Sequence, residues 1–302
     1  MKTTKKSTKS SAKAAKSKKS VKTPAAKVAA SAKTAAKPAA NAKSAPQKSP
    51  AQKRKSDQYD DPNYNYLHYW DGRDYEDESE RMALTRLLKG KHFKHATDIG
   101  GGYGRLCIFL EQYADKVTLA EPSQQQLDIA KDFLKEHKEI DRKLMQADDM
   151  KFKDGTIDLL TMIRVMHHLP NPAAEFAEIA RVLADDGYAI IEMANYAHGR
   201  NRLKHFIKGQ KLPAEPVDIS SAKYARKDEI PFVNHNPHTV IKQLGQAGLK
   251  VERVLSVSNL RSQTLKKVMP RKVMLAFENV MQPMMSGSFF GPSIFLLVRK
   301  GK

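Results

Sequence analysis

The chain has 302 residues, 40% of them hydrophobic, and a formal net charge of +20 at pH 7. The charge is concentrated at the N-terminus: residues 1–55 hold 17 Lys and Arg and no Asp or Glu, whereas residues 56–302 hold 36 basic (53 minus 17) and 33 acidic residues. The single cysteine, Cys107, excludes an intramolecular disulfide and a multi-thiolate metal site, so we expect a reducing compartment and predict no metal.

Residues 1–55 are predicted to be disordered, because a segment of Lys, Ala, Ser and Pro cannot bury enough surface to offset its ordering entropy. In composition this tail resembles linker-histone tails and the lysine-alanine tails of bacterial nucleoid proteins. That resemblance implies non-specific nucleic-acid contact and nucleoid or chromatin association. The other interpretation is that the lysines of the tail only keep the protein soluble. No secretory signal and no run of about 18 apolar residues occurs, which predicts a cytoplasmic protein without a membrane span.

From Tyr59 the composition changes abruptly to aromatic and acidic. Such a cluster of aromatic side chains is expected either to pack in a core or to line a site. A helix is predicted at about 76–89, with leucines on one face and Gly90 at its end.

Beyond residue 92, short apolar runs alternate with amphipathic runs, which is typical of a parallel sheet covered by helices. Ser123 and Gln126 predict a capping box at one helix, while Asn171 caps another that ends at Gly187, and a third ends at Gly248. Seven strands are predicted, at 95–99, 116–121, 143–147, 157–163, 188–194, 249–257 and 293–299.

A glycine-rich motif, Asp-Ile-Gly-Gly-Gly-Tyr-Gly-Arg, begins at Asp98 at the end of the first predicted strand. Glycine at a strand-to-helix turn lets the backbone approach a ligand closely, although a plain tight turn is the simpler interpretation. A dinucleotide site fits poorly, because neither Gly100-x-Gly102 nor Gly102-x-Gly104 has a small residue three positions further on. Asp98 would also repel a pyrophosphate at the helix N-terminus, so the motif favours a cationic ligand.

This motif closely resembles the first motif of class I S-adenosylmethionine-dependent methyltransferases. In that family the glycine loop lies against the amino-acid and ribose portions of the cofactor, and the acid helps to hold the methionine ammonium. The resemblance implies these roles for Asp98, Gly100, Gly102 and Gly104. It also implies that S-adenosyl-L-methionine is the cofactor, with S-adenosyl-L-homocysteine as product, and that the fold is Rossmann-like. The expected architecture is α/β, with a seven-stranded, mostly parallel sheet flanked by helices and an antiparallel last strand.

Two further acids extend the resemblance, which spans roughly residues 97–195. Glu121, followed by Pro122 at the end of the second predicted strand, matches the acid that accepts both ribose hydroxyls. Asp148, after the third predicted strand, matches the acid that accepts from the adenine amino group. Met150 is expected either to pack on the adenine face or to lie in a surface loop.

The segment after Asp158 resembles the small-molecule "type 11" branch of the family, in which a His-His pair precedes the next helix. Adjacent histidines point in different directions, so at most one of them is expected to face the reacting centre. His168 is the candidate base or substrate-orienting residue, against the plainer interpretation of a helix-start histidine. Arg164 is expected to face either the methionine half of the cofactor or solvent.

The predicted function is transfer of a methyl group to a small-molecule acceptor by in-line displacement, which needs alignment and exclusion of water. Methylation of nucleic acid or protein, delivered by the basic tail, is an alternative, as is a non-catalytic DNA-associated protein with this fold. The lack of an Asn/Asp-Pro-Pro-aromatic run disfavours the first alternative, and the intact acids disfavour the second. The predicted division is a tail (1–55), an N-terminal lid and helix (56–92), a cofactor-binding core (93–195), an acceptor-side insertion with a basic cluster (196–237), and C-terminal strands and helix (238–302).

Overall fold

The computed structural model describes residues 58–61, 66–220 and 230–301, so the predicted tail lies outside the described residues. The helices are α1 (Asp74–Leu88), α2 (Arg105–Leu110), α3 (Gln124–Phe133), α4 (Ala173–Val182), α5 (Gly199–Ile207), α6 (Pro237–Gln246), α7 (Gln263–Val268) and α8 (Arg271–Met284). The strands are β1 (Phe93–Ile99), β2 (Ala114–Glu121), β3 (Ile140–Leu144), β4 (Ile157–Met162), β5 (Leu183–Ala194), β6 (Val217–Asp218), β7 (Val233–Asn234), β8 (Leu249–Val257) and β9 (Ser293–Lys300).

Seven of these strands form one sheet in the order β3-β2-β1-β4-β5-β9-β8. Strands β1 to β5 pair in parallel, and β9, the last in the chain, runs antiparallel to both of its neighbours. The predicted fold class is therefore confirmed. The chain passes outward from β1 through β2 to β3 and returns on the other side with β4, which creates a crevice between β1 and β4 at the carboxyl edge of the sheet.

Buried side chains form two hydrophobic clusters, one on each face of the sheet. One cluster joins the sheet to α1, α2 and α3, and the other joins it to α4 and α6. Successive residues of β5 alternate between them: Ile190 belongs to the first cluster, and Ala189 and Ile191 to the second. Both faces of the central strands are thus covered, as a parallel sheet requires. No helix in the described part of the chain is long and apolar enough to cross a membrane.

The predicted helix end at Gly187 is wrong, because α4 ends at Val182 and Gly187 lies inside β5. The pairing of β4 with β5 shifts register between Ile157 and Leu159, so residues 184–187 form an irregularity within the strand. A Cβ atom at Gly187 would lie 2.9 Å from the carbonyl oxygen of Ile157. Glycine here permits a close strand approach and does not end a helix.

The two predicted helix caps are only partly right. The side chain of Ser123 accepts a hydrogen bond from the backbone N–H of Gln126, but the Gln126 side chain donates to the carbonyl of Tyr59 and so does not complete a capping box. The cap of α4 is Pro172, without a side-chain hydrogen bond, and not Asn171.

The third strand, β3, begins and ends three residues earlier than predicted, at Ile140 and Leu144. Four of its five residues are exposed or only half-buried, because β3 is an edge strand. Hydrophobic patterning therefore gives little signal for its position. Helices α7 and α8, within the C-terminal segment, were not predicted from the sequence.

Candidate functional site

A cavity of about 290 Å³ opens at the carboxyl edge of the sheet, in the crevice between β1 and β4. This is where ligands bind in open α/β sheets, because several loops converge there. Eight of the predicted site residues line the cavity: Asp98, Gly100, Gly102, Glu121, Pro122, Asp148, Arg164 and His168.

The glycine loop between β1 and α2 forms one wall of the cavity. Gly102 has a φ of +60°, which favours glycine, and its backbone N–H donates to the Oε2 atom of Glu121 at 2.8 Å. The neighbouring Gly101 also lines the cavity, although the sequence analysis did not single it out. A Cβ atom there would lie 2.5 Å from the Oδ2 atom of Asp98 and 2.6 Å from Leu119. The side chains of Asp98 and Leu119 therefore occupy the space that a side chain at position 101 would need.

Asp98 at the end of β1 is a buried carboxyl group facing the cavity. It accepts a hydrogen bond of 2.6 Å from the hydroxyl of Thr161 on the neighbouring strand. Burial raises the pKa of Asp98 to about 6, and the hydroxyl of Thr161 and the charge of Arg105 offset only part of this effect. A buried carboxylate of this kind gains stability from a cationic ligand group.

Glu121 at the end of β2 is 5% exposed and held by two backbone N–H groups. Its Oε2 atom accepts from Gly102, and its Oε1 atom accepts from Ser123 at 2.9 Å. These contacts join the end of β2 to the glycine loop and to the start of α3. They fix the direction of the carboxylate at the cavity wall.

Arg164, just after β4, points inward and not to solvent. Its guanidinium donates to Glu80 at 2.7 Å and to the hydroxyl of Tyr69 at 2.9 Å. Glu80 is 2% exposed and also accepts from Arg105 at 2.7 Å, while the Arg105 guanidinium lies 3.7 Å from the ring centroid of Trp70. One buried carboxylate therefore links α1 to the loop after β4 and to α2.

The backbone of Arg164 is in the left-handed region, with a φ of +61°, which is unusual for a residue other than glycine. Its N–H donates to the buried carboxylate of Glu192 at 3.0 Å. Burial raises the pKa of Glu192. This hydrogen bond to Glu192 holds the left-handed backbone of Arg164 beside the cavity.

His168 lies in a short 3-10 helix, Met166–His168, and lines the cavity, whereas His167 does not. The Nδ1 atom of His168 is 3.2 Å from the carbonyl oxygen of Pro231, which can only accept, so Nδ1 carries the hydrogen. The Nε2 atom lies 3.2 Å from the hydroxyl of Tyr59. In this tautomer Nε2 of the neutral ring is the basic atom.

His167 packs away from the cavity. Its ring stacks on Phe232 with centroids 5.5 Å apart, and burial lowers its pKa well below the ordinary histidine value. This ring therefore stays neutral, and packing explains its presence.

Two of the predicted site residues lie outside the cavity wall. Met150 is 2% exposed and belongs to the hydrophobic cluster that contains α4, so neither of the two interpretations of Met150 describes its position. Gly104 caps α2 with a φ of +89°, and a Cβ atom there would lie 2.7 Å from the side chain of Leu134. Helix packing accounts for this glycine.

The structure adds aromatic and acidic side chains to the cavity wall that the sequence analysis did not assign. Tyr59 and Tyr66 come from the segment before α1, and Tyr103 comes from the glycine loop. Glu175 comes from the first turn of α4, where an acid is usually explained by the helix dipole. Burial raises the pKa of Glu175 to about 7, and Asp148 adds to this effect. Its buried Oε2 atom has no hydrogen-bond partner among the described residues.

Comparisons with known proteins agree with this arrangement. Residues 97–191 match the family model described as "Methyltransferase domain". An uncharacterized methyltransferase of Bacillus subtilis, YcgJ, is 26% identical over 140 residues, which cover 46% of this chain and 54% of that protein. An uncharacterized methyltransferase of Schizosaccharomyces pombe, C1B3.06c, is 28% identical over 126 residues, or 38% of this chain and 45% of that protein. The chain thus spans about half of the length of these curated relatives.

Solved structures show the same fold at low sequence identity. A chain from the complex of the Haloferax volcanii Trm112 methyltransferase activator with a methyltransferase aligns with a TM-score of 0.54 and 15% identity, covering 82% of this chain and 99% of that chain. A Thermotoga maritima S-adenosylmethionine-dependent methyltransferase, described as a possible histamine N-methyltransferase, aligns with a TM-score of 0.53 and 18% identity. The alignment covers 78% of this chain and 94% of that chain.

Proposed function

Since residues 97–191 match a methyltransferase domain and the motifs resemble those of the type 11 branch of class I S-adenosylmethionine-dependent methyltransferases, we propose that this chain transfers a methyl group from that cofactor to a small-molecule acceptor. The observation that carries the proposal is the meeting of the glycine loop, Asp98, Glu121 and Asp148 on the wall of one cavity. S-adenosylmethionine supplies a methyl group on a sulfonium, whose carbon is already electrophilic. The chain therefore has mainly to bind, align and exclude water.

The residues on the wall fit the chemical groups of this cofactor. The carboxylate of Asp98, buried and without a described cation bonded to it, suits the methionine ammonium. Glu121, held in direction by two backbone N–H groups, suits the two ribose hydroxyls, and Asp148 at the exposed rim suits the adenine amino group. Gly102 lines the cavity, and as a glycine it places no side chain of its own between the backbone and a ligand.

His168 is the group best placed to take a proton from an acceptor. It lines the cavity with the ring oriented by Pro231 through Nδ1, so Nε2 presents a lone pair beside the hydroxyl of Tyr59. Such a base is needed only when the attacking atom carries a proton. The pair formed by His168 and Tyr59 supports acid–base chemistry at this end of the cavity.

We assign the rest of the chain by its position relative to the cavity. Residues 56–92 provide a lid and helix, residues 93–195 the cofactor-binding core, residues 196–237 the acceptor side, and residues 238–302 the closing strands and helices. Tyr59 supports the first assignment, because it lines the cavity and its carbonyl accepts from Ser123 and Gln126 at the start of α3.

A small-molecule acceptor is favoured over nucleic acid by the charge of residues 56–302. Their 36 basic and 33 acidic residues nearly balance, so this part of the chain lacks the overall positive charge of a nucleic-acid enzyme.

Calorimetric titration of S-adenosylhomocysteine into the full chain tests the proposal. We expect micromolar binding that Glu121→Gln and Glu121→Ala weaken by about 10- to 100-fold, since each removes charge-assisted hydrogen bonds to the diol. Glu136→Ala, which removes an exposed acid, is the matched control and should bind like the wild type. A folded wild-type protein that does not bind would refute the proposal. Binding would justify a screen of small acceptors for methylation.

A further inference from the structure

Helix α5 exposes an apolar face to solvent, and none of its residues is buried. Leu203, Phe206 and Ile207 are 60%, 82% and 75% exposed, and Phe206 is the most exposed large hydrophobic side chain in the described part of the chain. Their spacing of three and one residues places them on one face of the helix. Adjacent exposed apolar side chains of this kind are typical of interaction sites.

Basic side chains border this apolar face. Arg200, Lys204 and Lys208 follow each other at four-residue spacing and lie on one flank of it. Across residues 196–214 the sequence holds five Lys and Arg and no Asp or Glu. A partner that covers the apolar face must therefore also carry negative charge.

The exposed apolar surface continues beyond α5. The N–H of Gly199, at the start of α5, donates to the carbonyl of Phe290 at 2.9 Å, and the Phe290 ring packs against the same glycine. Phe290 is 42% exposed. Since α5 follows β5, whose carboxyl end lies at the edge where the cavity opens, this surface lies at the same edge of the sheet.

We infer that α5 and the adjoining turn at Phe290 form a docking surface for an anionic phospholipid bilayer. The three apolar side chains of α5 enter the boundary between headgroups and acyl chains, and the flanking cations bind lipid phosphates. A second copy of the chain fits less well, because it would bring two basic flanks together. Nucleic acid would match the charge but would leave Phe206 and Ile207 in water. This inference does not depend on the proposed methyl transfer.

Vesicle co-sedimentation of the full chain tests the docking surface. We expect binding to phosphatidylcholine vesicles that contain phosphatidylglycerol and weaker binding to phosphatidylcholine alone. The double variant Phe206→Ser, Ile207→Ser should lower the partition coefficient by about 10- to 100-fold, because two large side chains leave the lipid. Leu144→Ser, at a 59% exposed position on the edge strand β3, is the matched control and should bind like the wild type.

The basic residues 1–55 also attract anionic lipid, so the comparison is repeated at high salt. Salt screens that attraction, whereas the loss caused by the double variant persists because it reflects apolar insertion. Circular dichroism checks that both variants remain folded, as expected for substitutions at exposed positions. Equal partitioning of the double variant and the wild type at both salt concentrations would overturn the inference.

A fluorescence experiment reports insertion directly. In Phe206→Trp, the new indole should be quenched by lipids brominated in the acyl chains, and in Leu144→Trp it should not; Trp70, the only native tryptophan, supplies the background in both. Absence of quenching at position 206 would overturn the inference. So would self-association in lipid-free solution that the double variant abolishes, or nucleic-acid binding that depends on Phe206 and Ile207.

Discussion

Two carboxyl groups on the cavity wall, Asp98 and Glu175, have pKa values above the ordinary carboxyl range. Burial is the main cause in both, and it raises these values to about 6 and about 7. A carboxyl group with a raised pKa binds its proton more tightly in the folded state, so ionisation at higher pH destabilises the fold. Each of the two carboxyl groups therefore lowers the stability of the fold when it is ionised. A cationic ligand or a substitution can remove this loss of stability.

Glu175→Gln should therefore stabilise the protein at alkaline pH. The wild type loses stability as the pH rises from the unfolded value of 4.5 through the folded value of about 7, whereas the amide does not ionise. At pH 8 we expect the variant to be more stable by about 2 kcal/mol, which is a shift of a few degrees in Tm. The advantage should vanish near pH 4. Thermal melts across this range measure it, and parallel pH profiles for the two proteins would contradict the prediction.

Asp98→Asn should weaken binding of S-adenosylmethionine by about 10- to 100-fold, because the variant lacks the charge that pairs with the ligand ammonium. The wild-type affinity should fall as the pH drops through about 6, where Asp98 becomes protonated, and level off above it. The variant should lack this dependence. Titration calorimetry from pH 5 to pH 8 checks both statements, and an undiminished affinity in Asp98→Asn would remove Asp98 from the site.

At the scale of elements, a buried carboxylate holds α8 against α1 and against the end of β8. Glu278 on α8 is fully buried and accepts hydrogen bonds from the hydroxyl of Tyr75 at 2.7 Å and from the N–H of Ser258 at 2.7 Å. The N–H of Asn259 donates to it at 2.9 Å. Ser258 has a φ of +58°, so the carboxylate also holds a strained turn.

Glu278→Ala should destabilise the fold by about 3 kcal/mol, because it leaves several buried donors without an acceptor. The urea midpoint of unfolding measures this, with Lys272→Ala on the exposed side of α8 as control, where we expect a change below about 0.5 kcal/mol. Similar midpoints for the two variants would show that these hydrogen bonds contribute little net stability.

At the scale of the whole molecule, the charge is divided between a basic N-terminus and a nearly balanced remainder. We expect the full chain to bind DNA without sequence preference. If about 6 to 10 phosphates are contacted, the affinity should fall roughly 10³- to 10⁵-fold between 50 and 200 mM salt. Fluorescence anisotropy of a labelled duplex measures this. A chain of residues 56–302 that bound DNA as tightly as the full chain would contradict the assignment of this binding to residues 1–55.

The class of fold could be predicted from the sequence alone, as could the methyltransferase domain that residues 97–191 match. Apolar runs of strand length separated by amphipathic helices specify a parallel sheet, and β8 begins and ends at the predicted residues. The order of acids after successive strands could be interpreted as one site, because the carboxyl ends of parallel strands meet at one edge. The hydrophobic pattern gave little signal at β3, because most residues of this strand are not buried. The pattern was ambiguous at Gly187, because glycine occurs both at helix ends and, as here, at an irregularity within a strand.

The partners of these side chains could not be predicted from the sequence, because they come from distant segments of the chain. Arg164 is bound by Glu80, Met150 is buried in a core cluster, and Tyr59 lies beside His168, 109 positions away in the chain. Glu175 is placed beside the cavity by the packing of α4. Contacts between distant segments depend on how layers pack, and a local pattern specifies which face of a segment is apolar but not what that face will meet.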